Sequence, residues 1–238
     1  MVLVHPREPA AQAACPEAAR EAGRNHQVVR EKQRKLQLPE KLRWNHNEWY
    51  RRWLLRQLPS RAAAALDVGC GLGDLARSLK ADEVTAIDAS ARMIERASAT
   101  SSRIRWIHGD VLTHDLGRYD VVTAEASLHH LPLREGLTRL AELTKPGGLL
   151  VVIGLYMTAT RADRAMEIVT LPANAIVGLA KAINGTGGTP HDPEMPVVFT
   201  APTLREIRAA AAEITPGARI RRHVFWRYSL VWRRPEVH

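Results

Sequence analysis

From residue 62 onward the chain alternates short apolar runs with segments of helical spacing. AAAALDV, VTAID, IRWIHGD, YDVVTA and LLVVIGL are apolar enough to be strands covered on both faces. Between them, LARSLK, SARMIERAS and LREGLTRLAELT carry apolar residues at helical period. This alternation over residues 62–155 predicts an α/β fold: a doubly wound, mostly parallel sheet. Upstream, helices are predicted over Asn25–Gln37 and Glu40–Leu58, the second with Leu42, Trp49, Trp53 and Leu54 recurring before Pro59 stops it. Residues 1–23 are rich in Ala, Pro and Glu and predict a loose tail. Past Leu155 the alternation breaks. A helix is expected around Glu167–Ile183, followed by NGTGGTPHDPEMP, whose glycines and prolines predict a lid or a disordered loop. A helix over Thr203–Glu213 comes next. Two β-like runs, RIRRHVFW and SLVWRR, are then expected to meet at Arg227-Tyr228 as an antiparallel hairpin. The chain contains no internal repeat.

Composition narrows this picture in three ways. A chain of 238 residues with 45% hydrophobic content can bury one large core without staples. Cys15 and Cys70 stand far apart and suit neither a disulfide framework nor a zinc pattern, which favours a reducing compartment. The first residues lack the apolar core of a secretory signal, and no stretch is long and apolar enough to span a bilayer, so a cytoplasmic protein without membrane attachment is expected. The formal charge of +9 invites a polyanion partner. Its distribution argues otherwise. Residues 20–61 carry twelve basic against four acidic residues, residues 202–238 eight against three, and residues 62–201 thirteen against sixteen. The excess therefore lies in the flanks, where solvated helical faces explain it.

The segment with the clearest chemistry is ALDVGCGLGDLA, residues 65–76. A strand running into Gly69, Gly71 and Gly73 and then a helix lets a ligand lie against backbone with no Cβ in the way. The dinucleotide fingerprint would place its third glycine where Asp74 stands, and Asp67 adds a second carboxylate at the turn. These charges oppose a pyrophosphate and suit an amine or a sulfonium. A P-loop is excluded, since no Gly-Lys-Ser/Thr follows. Asp88 ends the second strand candidate at the spacing of an acid that accepts from ribose hydroxyls. At the end of the third, the Asp110 carboxylate can take an exocyclic adenine amine while the Val111 N–H addresses the ring.

With these residues in place, the chain resembles the class I S-adenosylmethionine-dependent methyltransferases, from about Leu66 to Leu150, through LDVGCGLGDLA, AIDASARMIERA, HGD, YDVVTAEASLHHLP and LTKPGGLLVV. The last two are similar to the variant that acts on small molecules. The resemblance implies a seven-stranded Rossmann-like sheet closing with an antiparallel hairpin, S-adenosyl-L-methionine as cofactor and S-adenosyl-L-homocysteine as product. It implies that Gly69, Cys70, Gly71 and Gly73 lie against the methionine part, that Asp88 and Ala89 meet the ribose, that Met93 packs on the adenine, and that Gly109, Asp110 and Val111 hold its edge. Glu125 stands near the cofactor where the pattern often has Asn. The implied organisation is a tail at 1–23, helices at 24–60 covering the site, and a methyltransferase domain at 61–238 whose segment at about 157–200 shapes the acceptor pocket.

Methyl transfer needs an acceptor aligned on the methyl carbon and, where the acceptor is protonated, a base. His129 and His130, just past the fourth strand candidate, are the candidates, with His129 preferred by the resemblance. The competing reading has one cap the turn while the other faces solvent. In WNHNEWYRRW, His46, Asn47 and Tyr50 form a second constellation at the start of a helix, with Tyr50 and His46 expected on the pocket wall, against the alternative that Trp44, Trp49 and Trp53 form only a core-facing stripe. His191, Asp192 and Glu194 match no familiar ligand spacing, and no metal is expected. The expected reaction is methylation of O or N on a small-molecule acceptor. An RNA or protein methyltransferase using the basic flanks, and a non-catalytic S-adenosylmethionine-binding partner protein, are the alternatives. The first lacks the Asn/Asp-Pro-Pro-aromatic run and the Pro-Cys nucleophile of nucleic-acid methylases, so a nucleic-acid partner is disfavoured. The pattern leaves monomer and homodimer open, with no exposed apolar stripe that demands a dimer.

Overall fold

A computed structural model describes residues 46–160, 172, 176–181, 183–184 and 201–236. The chain divides into residues 1–38 and 39–238, and the described residues all belong to the second part. The tail, the helix expected over residues 25–37, Trp44, and the loop carrying His191, Asp192 and Glu194 lie outside the described residues.

Seven strands form one sheet: β1 (Ala62–Val68), β2 (Ala81–Asp88), β3 (Ile104–His108), β4 (Tyr119–Glu125), β5 (Thr144–Leu155), β6 (Arg219–Arg222) and β7 (Arg227–Arg233). Their order is β3-β2-β1-β4-β5-β7-β6. The first five are parallel, and β7 runs antiparallel to both β5 and β6. Among the described residues the bounded helices are α1 (His46–Leu55), α2 (Ala91–Ser98), α3 (Leu133–Leu143) and α4 (Leu204–Ile214), and residues 176–181, within the helix expected around Glu167–Ile183, are also helical.

Strand periodicity divides the apolar residues between two faces. Leu66, Val68, Val122, Leu150 and Val152 pack with Leu137 and Leu140 of α3 and Ile207 of α4. Ala65, Val121, Val151 and Ile153 pack with Tyr50 and Leu54 of α1 on the other face. Both faces are covered, so the strands read as apolar runs rather than as alternation. Ser90 caps α2 by accepting from the Met93 N–H, and Thr203 with Glu206 forms a capping box on α4.

Four local expectations change. LARSLK makes only a single 3-10 turn, Ala76–Ser78, because the chain enters β2 at Ala81 and leaves no length for a helix. The KPGG stretch joins β5, where the register on β4 shifts between Tyr119 and Val121 and Gly147 adopts φ +74°. The hairpin turn falls earlier than Arg227-Tyr228, since Phe225 and Trp226 take positive φ and the buried Phe225 ring stacks on His46, 4.9 Å between centroids. Arg227 and Tyr228 therefore belong to β7, opposite Leu155 and Gly154 of β5. Finally, Trp49 is 52% exposed and does not share the core stripe of Tyr50 and Leu54.

The exposed Arg219 and Arg221 lie on β6, the sheet edge, where charge discourages pairing with another chain. Part of the C-terminal basic excess has this structural use. Among the described residues no helix is long and apolar enough to cross a membrane.

Candidate functional site

Strands β2 and β4 leave β1 on opposite sides, so the crevice beyond the carboxyl ends of β1 and β4 is the topological switch point of the sheet. A cavity of about 510 Å³ opens there, within the range of small-ligand sites. Asp67, Gly69, Cys70, Gly71, Asp88 and Ala89 line one part of it, and Met93, Gly109, Asp110 and Val111 extend that part. Asn47, Arg51, Glu125, His129, Leu155 and Arg227 line the other, and His130 also opens on it.

The glycine turn is held from below. The Gly69 and Cys70 N–H groups donate to the Ile87 carbonyl at 2.8 and 3.1 Å, and the Gly71 N–H donates to Asp88 Oδ2 at 2.8 Å. Asp88 Oδ1 accepts from the Ser90 N–H at 2.9 Å, so one carboxylate ties the turn to the start of α2. Asp110 Oδ1 accepts from the Leu112 N–H, and Arg139 Nε donates to the Val111 carbonyl, fixing the loop after β3. Cys70 is buried and its thiol is pushed up by that burial, which leaves it uncharged.

The cavity floor is acidic. Asp67 is 1% exposed; Thr123 Oγ1 lies 3.1 Å from its Oδ1, while Oδ2 is buried without a hydrogen-bond partner among the described residues. Burial, reinforced by the charge of Glu125, pushes the Asp67 carboxyl up to about 7. Glu125 Oε2 accepts from Arg51 Nε at 3.1 Å, its Oε1 is also buried without a partner, and burial raises its pKa against the pull of Arg51. Two unpaired carboxylate oxygens on one cavity fit a ligand bearing a cationic amine. Asp74, expected to add to this charge, is paired with Arg77 and lies 3.4 Å from Arg51 Nη2.

A stability test follows from Asp67. Its folded pKa lies above its ordinary value of 3.8, so the folded state holds a proton that the unfolded chain releases. This contribution is complete below about pH 4 and is lost as pH rises toward about 7. The ligand-free Asp67→Asn variant should therefore gain Tm relative to wild type on going from about pH 5 to about pH 8, followed by circular dichroism. A constant difference between the two proteins would contradict the assignment.

His129 lies on the 3-10 turn Leu128–His130, with its ring 4.2 Å from that of His130 and Nδ1 buried without a partner. Burial, with the nearby His130 and Arg227 charges, pushes His129 down to about 3, and burial also lowers His130. His129 is thus neutral across the physiological range.

Three expected site residues lie elsewhere. The Tyr50 ring is buried in the core, its hydroxyl donating to the Val224 carbonyl at 2.7 Å, and it does not line the cavity. His46 stacks on Phe225 outside the cavity lining. Gly73 has φ +78° and faces Trp106, whose ring would lie 2.2 Å from a Cβ there and is anchored by its indole N–H on the Ser101 carbonyl. Its glycine serves packing between the turn and β3. Conversely, Asn47, grouped in the sequence with His46 and Tyr50, reaches the cavity, as do Arg51 and Arg227, which were not expected there. Of those two only Arg227 carried a sequence signal, a lone charge inside the apolar run VFWRYSLVW.

A switch-point cavity of this kind defines a Rossmann-like protein that binds a nucleoside-bearing ligand. The Methyltransferase domain family matches residues 65–148. An uncharacterized methyltransferase of Mycobacterium tuberculosis is 34% identical over 200 residues, covering 81% of this chain and 98% of that protein. The mitochondrial ubiquinone biosynthesis O-methyltransferase of Schizosaccharomyces pombe is 36% identical over 122 residues, 44% of each chain. Among solved structures, the N-methyltransferase NodS from Bradyrhizobium japonicum, in complex with S-adenosyl-L-homocysteine, aligns with a TM-score of 0.53 at 17% identity, covering 87% of this chain and 98% of that one. The chain belongs to the class I S-adenosylmethionine-dependent methyltransferases.

Proposed function

We propose that the protein methylates an oxygen or nitrogen of a small-molecule acceptor. The observation that carries this reading is the pair of unpartnered buried oxygens, Asp67 Oδ2 and Glu125 Oε1, on the same cavity as a neutral, buried His129. S-adenosylmethionine supplies a methyl group on a positively charged sulfur. Asp67 and Glu125 offer acceptors for its ammonium, Asp88 for the ribose hydroxyls and Asp110 for the adenine amine. Met93, 3% exposed on the cavity wall, offers an apolar face to the ring. Gly69 and Gly71 let the methionine part approach the backbone.

His129 then acts on the acceptor. Being neutral, it offers a hydrogen bond that aligns the acceptor without placing a cation beside the sulfonium, and most of the rate comes from that alignment. A group this weakly basic aligns the acceptor by hydrogen bonding rather than taking its proton. The segment at about 157–200 is assigned to acceptor selection; within it, Lys181 bonds Glu48 of α1 at 3.3 Å, and Val177 packs on the core cluster that includes Tyr50.

Transfer of a labelled methyl group to a metabolite library tests this reading. A small-molecule product is expected; labelling confined to RNA or protein, with steep salt dependence, would favour the polyanion alternative. Once an acceptor is known, His129→Ala should lower kcat by about 100-fold while cofactor affinity changes little. An unaltered kcat would remove His129 from the mechanism. Because His129 titrates near 3, no limb of the wild-type profile between about pH 5 and about 8 should come from it.

A further inference from the structure

Arg227 is the least satisfied charge on the cavity wall. It stands first in β7, 8% exposed, and among the described residues only its Nη2 has a partner, Asn47 Oδ1 at 2.7 Å. The N–H groups of Nε and Nη1 are buried and meet no acceptor among the described residues. The strongest attraction it feels is from Glu125, yet the Glu125 oxygen that does bond belongs to Arg51, and the Tyr50 hydroxyl is spent on Val224. Glu125 attracts it without a hydrogen bond, so a guanidinium held this far out of water, with three N–H groups unmet, still lacks a hydrogen-bonded counter-ion among the described residues.

Its place in the sheet says which ligand brings that counter-ion. Glycine turn, Asp88 and Asp110 lie at the ends of β1, β2 and β3, on one side of the switch point. Arg227 lies on the other side, two strands beyond β4 in the order β4-β5-β7, opposite Leu155 of β5. His129, which follows β4, feels the Arg227 charge.

We propose that Arg227, oriented by Asn47, is an anion subsite for the acceptor, and that the acceptor carries a carboxylate. This rests on the methyltransferase reading and specifies its substrate class.

The test uses S-adenosyl-L-homocysteine to fill the cofactor side. Calorimetry should give wild type and Arg227→Gln the same affinity for it within about threefold, which also establishes that the variant is folded. The saturated wild-type protein is then titrated with acetate, succinate, benzoate and cinnamate, each beside its primary amide. At least one acid should bind at least about tenfold more tightly than its amide, and Arg227→Gln should abolish that preference. Amides binding as well as every acid, no binding by any acid, or a preference that survives Arg227→Gln would overturn the proposal. So would a loss of S-adenosyl-L-homocysteine affinity in Arg227→Gln in a protein whose circular dichroism is unchanged, because the cofactor carboxylate would then be the anion. Should the variant fail to fold, the acid and amide comparison in wild type decides alone. No binding of S-adenosyl-L-homocysteine to wild type would instead sink the methyltransferase reading itself.

Discussion

Asp88→Ala should weaken S-adenosyl-L-homocysteine binding by about 100-fold or more, measured by calorimetry. Two effects combine. In the proposed reading, the carboxylate accepts from the ribose hydroxyls, and charge-assisted hydrogen bonds in a half-buried site are the strong ones. It also accepts from the Gly71 and Ser90 backbone N–H groups, so its removal loosens the glycine turn and the start of α2 together. Asp88→Asn keeps one acceptor oxygen and should fall between the two proteins. An Asp88→Ala protein with wild-type affinity would move the nucleoside elsewhere.

Gly69→Ala should have an effect of similar size on binding and a larger one on stability. At φ +68° an L-residue is strained by about 1–2 kcal/mol. The added Cβ would also stand 2.3 Å from Ser127 Cβ. Ser127 cannot retreat freely, since its hydroxyl donates to the Val68 carbonyl at 2.6 Å and joins the ends of β1 and β4. The combined cost is roughly 2–4 kcal/mol, a fall in Tm of roughly 5–15 °C. Gly217→Ala separates the two causes. Gly217 has φ +82° with nothing within 4 Å of the added Cβ, so that variant should show the strain without the clash and bind cofactor normally. Equal losses in both variants would mean that the Ser127 contact is relieved at no cost.

Much of this site can be read before any coordinates. Asp67, Asp88 and Asp110 are legible because each ends an apolar run, and parallel strands deliver their carboxyl ends to one edge of the sheet. Asn47, Arg51 and Arg227 are not legible in that way. They come from α1 and β7, and the packing of α1 on the sheet together with the antiparallel pairing of β7 on β5 brings residues so distant in sequence to the same cavity. Arg227 is hidden further by its neighbours, because FW reads as strand until Phe225 and Trp226 are known to turn at positive φ. Tyr50 illustrates a limit of helical period. The period read from Leu42, Trp49, Trp53 and Leu54 omits it, yet Tyr50 lies on the inner face of α1 with Leu54, in the core cluster that includes Phe225.

The third glycine carries the same lesson in a different form. Gly73 looks like part of the ligand cradle, yet its missing Cβ makes room for Trp106, a residue from β3. Spacing alone cannot tell a glycine kept for a ligand from one kept for a ring.

The central claim is that the switch-point cavity takes S-adenosylmethionine with its cationic group over Asp67 and Glu125. Calorimetric titration of wild-type protein with S-adenosyl-L-homocysteine, repeated at about pH 6 and about pH 8, tests it most directly. The predicted result is one binding site, with tighter binding at the higher pH because the ligand ammonium needs Asp67 ionised and its pKa stands near 7. Absence of binding at both values, or binding that weakens as pH rises, would contradict it.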